Sequence, residues 1–280
     1  MADGPISDGG TLTLAVKRYV SSQFQNPTIK LSTEVSSKLG YAPTVQFKAH
    51  SHLTVLIEVS ETPYPAILKL RRTEIEELQI PIAVYCACPE EAYTRNQKDS
   101  KQLIEHGFGL LTVASSGVVQ RRAPGIPLIQ RIAPAEFRSS IAQLPVRLRR
   151  KLAESYDVYG SNPASGVSGV TEIVEGLILT AGREAVGKGW IASAKVKPGQ
   201  PAVTLAAMEA NGQFNGATAA IGSVKGYISE IRNNSHHFPK NPASAAKKYR
   251  ECRHSFLEGL KRVAAFRSAM RNAGLTGGLK

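Results

Sequence analysis

The chain has 280 residues, enough for one large or two ordinary domains, and its 42% apolar and 20% charged content excludes a disordered chain. The formal net charge of +13 is unevenly carried: residues 1–131 hold 14 Lys+Arg against 12 Asp+Glu, and residues 132–280 hold 21 against 10. Three cysteines exclude a disulfide scaffold, and with no signal-peptide core at Met1–Pro5 and no apolar run near the ~18 residues of a membrane span, a cytoplasmic protein is expected.

Residues 1–10 are rich in Gly, Asp and Ser and are expected to be disordered. Thr11 to Phe24 reads as a helix, with Leu12, Val16, Tyr19 and Val20 on one face. Residues 44–48 and 53–59 alternate around His50-Ser51-His52, which is hairpin logic. A helix is expected from Tyr64 to Glu76, a buried strand from Ile80 to Cys86, and a helix from Pro89 to Gly107. Residues 109–113 read as a second buried strand, and a turn at Ser115-Ser116-Gly117 leads to Val118–Gln120. Strands alternating with helices imply an α/β domain over residues 11–122, with a mixed sheet and flanking helices.

Ala123-Pro124-Gly125 breaks that pattern, and residues 123–144 read as a linker. From 145 to 280 the expectation is an all-α bundle. It begins with a basic helix at Arg147–Tyr156, a loop at Asn162–Gly166 and a long helix at Val167–Val186. Then come a connection at Gly187–Gly199 that holds the only tryptophan, Trp190, and a short helix at Pro201–Met208. The cleanest periodicity runs through Phe214, Ala217, Ile221, Val224, Ile228 and Ile231. A polar corner, Arg232–Asn241, ends it. Asn241 is placed to cap a final helix with Pro242 at its first position, and Gly274 to stop it.

The charge asymmetry asks for an anionic partner, most simply nucleic acid, with a solvated basic surface as the plain alternative. Lys69, Arg71 and Arg72 form one basic cluster, and Arg147, Arg149, Arg150 and Lys151 a second. The third, Lys247, Lys248, Arg250 and Arg253, follows the corner and is placed to carry an RNA backbone past it, with Lys240 in the corner as a further nucleic-acid-binding candidate.

The corner itself gathers Arg232, Asn233, Asn234, Ser235, His236 and His237 in one helix-to-helix turn. An arginine ending a long helix, then a polar residue, then a histidine after four intervening residues resembles the HEPN superfamily over about residues 145–276. The resemblance implies a helical domain, a symmetric dimer and metal-independent RNA cleavage that leaves a 2′,3′-cyclic phosphate, in an antiviral-defence or toxin setting. It assigns Arg232 to the phosphate and His237 to proton transfer, with Asn233 and His236 assisting. The chemistry suits them: the RNA 2′-OH is its own nucleophile, a histidine titrates near neutral pH, and an arginine stabilises charge growing on phosphorus. The bland reading is that Arg232 and the histidines cap the last carbonyls of the helix. A non-catalytic binding or scaffolding subunit of a larger complex is the competing function. The expected partners are RNA and a second copy or another protein, with no cofactor.

The order of elements in the first half is similar to the PD-(D/E)xK restriction-endonuclease-like class. That family's acid-x-lysine falls on Glu58-Val59-Ser60, and its aspartate near Thr44. Only Glu58 matches, so the resemblance implies a degenerate nuclease-like domain, and a metal-dependent DNA nuclease through Glu58 is the weaker alternative. Cys86-Ala87-Cys88 places two thiols on one strand face without a second pair, which reads as structural rather than as a zinc site.

Overall fold

The computed structural model describes residues 9–24, 27–37, 40–49, 53–63, 80–234 and 241–275. The chain divides into two compact units. One comprises Met1–Pro134 with Phe238–Arg250, and the other Ala135–His237 with Glu251–Lys280.

The first unit is built on a six-stranded mixed sheet whose strands lie in chain order. Helix α1 (Gly9–Gln23) precedes β1 (Lys30–Leu31), β2 (Val45–Ala49) and β3 (Leu53–Val59), which pair antiparallel. β4 (Ile82–Pro89) then pairs parallel with β3, and β5 (Gly109–Val113) parallel with β4. β6 (Val119–Ala123) returns antiparallel after the turn at Gly117, where φ is +79°. β4 and β5 are buried almost throughout because both faces are covered. One face carries Leu56, Val84, Cys86, Cys88, Leu110 and Leu103. The other packs Phe47, Val55, Ile57 and Leu111 against Leu12, Val16 and Val20 of α1.

The expected α/β half is thus present, with local differences. The strand expected to end at Cys86 continues to Pro89, because its ladder with β5 runs to Val113. The helix expected from Pro89 to Gly107 is two, α2 (Glu90–Arg95) and α3 (Gln97–Glu105). Asn96 separates them: its Nδ2 donates to the Ala92 carbonyl at 2.9 Å, the local competition that makes Asn poor in helix interiors. The helix expected at Tyr64–Glu76, with Lys69, Arg71 and Arg72, lies outside the described residues, as does the His50-Ser51-His52 turn.

Residues 123–144, the expected linker, contain the division between the two units and carry ordered structure. Leu128 is buried with the sheet, and Arg131 Nη2 donates to the Glu105 carbonyl at 2.9 Å. Residues Pro134–Ile141 form α4, with Phe137 and Ile141 buried.

The second unit is helical, as expected. α5 (Val146–Ser161) and α6 (Pro163–Gly187) are separated by Asn162 alone, which caps α6 by accepting from Ser165 N at 3.2 Å. The loop expected at Asn162–Gly166 is helical because Gly166 lets the helices touch: a Cβ there would lie 2.5 Å from Tyr159 Cα. α6 is long and apolar enough to cross a membrane by length and composition, and 44% of its most apolar window is buried within the fold. A 3₁₀ turn at Ser193–Lys195, α7 (Pro201–Glu209) and a second 3₁₀ turn at Gly212–Ala217 follow. Phe214 therefore sits in a 3₁₀ turn, edge-on to Trp190, rather than in the periodic helix it was expected to open. That helix, α8, runs Thr218–Asn234 and takes Arg232 and Asn233 into its last turn. α9 (Pro242–Asn272) opens as expected with a reciprocal cap: Asn241 Oδ1 accepts from Ser244 N at 2.8 Å, and Ser244 Oγ from Asn241 N at 3.1 Å. It closes at Gly274, φ +89°, with Leu275 N donating to the Met270 carbonyl.

Phe137 of α4 stacks on Tyr156 of α5 at 4.1 Å between ring centroids, and Phe256 of α9 meets Tyr159 at 4.6 Å. Beside them Arg253 Nη2 lies 3.2 Å from Glu136 Oε1.

Two glycines of α6 make opposite predictions. Gly166→Ala should destabilise the fold by about 1–3 kcal/mol, because the added methyl overlaps backbone. Gly176 has nothing within 4 Å of a Cβ, so Gly176→Ala should be neutral or stabilising by up to about 1 kcal/mol. Chemical denaturation of the two variants compares them directly.

Candidate functional sites

Arg232 and Asn233 lie in the last turn of α8, and α9 begins at Pro242, so the corner is a short connection between two long helices. His236, His237 and Lys240 fall in that connection, outside the described residues. Backbone position alone therefore brings the arginine and the asparagine to the carbonyl end of α8.

Among the remaining cations, Arg149 and Arg150 are exposed on α5, where Arg150 makes only a 3.8 Å ion pair with Glu154. Arg147 and Lys151 are exposed too, and the first turn of α5 has no acid. In the first turns of α9, Lys247 and Arg250 are exposed and Lys248 is half-buried. Arg253, expected to meet nucleic acid, is half-buried and lies in an ion pair with Glu136. It faces inward because it follows Cys252 and precedes Phe256 on the packed face of the helix.

Glu58 is placed by register. The antiparallel ladder pairs Val45 with Ile57, which sets Thr44 beside Glu58, and the parallel ladder pairs Glu58 with Cys86. Tyr41 OH donates to Glu58 Oε2 at 2.7 Å, and Thr44 N donates to the same oxygen at 3.4 Å. Thr44 Oγ1 accepts from Val59 N at 3.1 Å, so the hydroxyl at the expected aspartate position serves the backbone. Ser60, at the expected lysine position, bonds the Thr62 carbonyl at 2.8 Å. Among the described residues no group of three or more His, Cys, Asp or Glu is arranged to hold a metal ion. At this position a carboxylate accepts from a phenol. Burial, then the bond to Glu58, raises the Tyr41 phenol well above its ordinary value.

Cys86 and Cys88 share one face of β4 and are fully buried. The hydrogen bond to Cys88, then burial, holds the proton on Cys86. Neither thiol is accessible, in keeping with structural cysteines.

Two features escaped the sequence reading. One is a groove of about 250 Å³ between α8 and α9, floored by Gly222 and Gly226 and rimmed by Glu230, His254 and Glu258. Glu258 accepts from Lys261 Nζ and Arg262 Nη2, each at 2.7 Å, and the Lys261 bond lowers its pKa. Its signal was the i, i+4 spacing of His254, Glu258 and Arg262. The other is Tyr41, which stands in a loop with no periodicity to mark it.

No family model, curated protein or solved structure matches this chain.

The Tyr41 arrangement predicts a pH dependence. Its folded pKa is raised, so its contribution is fully present below the unfolded value of about 10 and is lost as pH rises above it. Thermal unfolding of Tyr41→Phe should show a shallower alkaline decline than the parent above about pH 10. Equal declines would assign the alkaline sensitivity elsewhere.

Proposed function

We propose that this chain binds RNA through its C-terminal helical half. The observation that carries the reading is the charge asymmetry: 21 Lys+Arg against 10 Asp+Glu in residues 132–280. Its exposed expression on α5, where Arg147, Arg149, Arg150 and Lys151 crowd an acid-free helix start, supports it. Cations at the positive end of a helix dipole are mutually unfavourable until an anion neutralises them. A homodimer or a partner protein joined through the helical half belongs to the same reading.

A second reading, metal-independent cleavage at the α8–α9 connection, is favoured by one placement. Arg232 and Asn233 occupy the last turn of α8, and only Asn234 and Ser235 separate them from His236 and His237 in the chain. Arg232 clamps the phosphate, His237 transfers the proton, and Asn233 and His236 orient them. The HEPN-like character of the helical half and a role as a defence effector or toxin go with this reading. The antiparallel β1–β2–β3 meander followed by parallel β4 and β5 supports a nuclease-like first half. Glu58, with one oxygen already engaged by Tyr41 and Thr44, supports its being catalytically degenerate. Metal-dependent DNA cleavage through Glu58 is correspondingly the weaker reading.

Affinity for single-stranded RNA should fall linearly with the logarithm of salt concentration, and the Arg149→Ala/Arg150→Ala pair should reduce that slope by about 1–2. Fluorescence anisotropy at several salt concentrations measures both, and absence of binding at low salt overturns the reading. Labelled RNA incubated in EDTA tests cleavage: product from the parent chain and none from His237→Ala is the expected result. Product from both would remove His237 from the chemistry.

A further inference from the structure

The α5–α6 hairpin contains a groove of about 630 Å³ that no described element of the helical unit fills. Its shape follows from three glycines. At the bend, a Cβ on Gly166 or Gly169 would collide with Tyr159 or Ser155, so the antiparallel helices touch there. Further from the bend Gly176 has no neighbour, and the space between the helices opens. This volume lies within the range of sites that take small ligands.

The lining is mixed. Arg147 and Lys151 come from the first turns of α5, with Arg147 farthest from the bend. Glu154 of α5 lies nearer the bend, Glu172 of α6 stands about level with Lys151, and Ile173 and Leu177 of α6 form an apolar wall. Arg147, Lys151 and Glu172 carry no ion pair among the described residues, and Glu154 has only the loose, exposed contact to Arg150. Cations and carboxylates lie within one groove without neutralising each other directly.

A bare polyanion does not suit that pattern, since Glu154 and Glu172 repel phosphate. A nucleotide does. Its phosphate meets the cations, its base lies on the aliphatic wall, and a carboxylate accepts from an exocyclic amino group, as acidic side chains do from cytosine N4. We propose that the α5–α6 groove seats one unstacked RNA nucleotide. Arg147 and Lys151 hold its phosphate, and Glu154 and Glu172 read the amino edge of its base. The assignment rests on the RNA-binding reading above and adds a base preference to it: adenine, cytosine and guanine carry an amino group, and uracil does not.

The test measures anisotropy of equal-length A, C and U oligoribonucleotides on the full chain, with Glu172→Ala, Glu154→Ala and Gly176→Leu as variants. The expected result is roughly tenfold tighter binding of A and C than of U, the scale of one base-edge recognition. Glu172→Ala or Glu154→Ala should collapse that preference while leaving U binding unchanged or tighter, which a purely structural role would not do. Gly176→Leu, a better helix former that fills the groove, should retain the helical circular dichroism and lose the A and C advantage. RNA binding by the parent without base preference, or a preference indifferent to these variants, overturns the groove assignment and leaves the RNA reading intact. A parent that binds no RNA overturns both. A dimer that Gly176→Leu converts to monomer, with base preference absent, gives the groove to a second copy instead.

Discussion

The aromatic contact between chain segments about a hundred residues apart sets the geometry of the helical unit. Phe137 and Tyr156 stack in parallel, and Phe256 closes on Tyr159. These rings fix where α9 meets α4 and α5 after the chain has travelled through α6, α7 and α8. Offset and tilted ring pairs are directional as well as apolar, so they select one register where aliphatic contacts would tolerate several. The Arg253–Glu136 ion pair joins the same two helices, α4 and α9. What Arg253 loses as a free cation it returns as orientation of the helix.

Much of the architecture was legible because it is carried by local patterns. The β2–β3 hairpin followed from alternation, β5 from its apolar run, and both ends of α9 from Asn241-Pro242 and Gly274. Less legible were features that depend on what a residue meets across space. Gly166 reads as a loop former, yet it belongs to a helix because Tyr159 needs its missing side chain. Asn96 reads as one more polar residue in a helix, yet it breaks it by bonding backward to Ala92. Residues 123–144 read as a linker because prolines interrupt them, although Leu128, Phe137 and Ile141 are buried.

The candidate site divides along the same line. Glu58 was visible in the chain, and the strand register explains its placement beside Thr44 and Cys86. Tyr41 was not visible, because a phenol in an irregular loop becomes a carboxylate's partner only through tertiary contact. Arg253 is a second case: in the chain it is one member of a basic cluster, and its pairing with Glu136 on another helix appears only in the fold. Charge counts report how many cations a segment carries, whereas their pairing is set by folds that bring distant elements together.

The strand order carries a consequence for self-association. With β1 and β6 as the end strands, an edge is the one part of the sheet that offers unpaired backbone groups to another chain. β1 is two residues long, too short to template an added strand. β6 carries Arg121 and Arg122 in succession, with Arg122 held by Glu90 and lying over the Tyr93 ring. A strand approaching that edge would meet a fixed guanidinium and an exposed one. Among the described strands, the two edges of the sheet are thereby poor templates for edge-to-edge pairing.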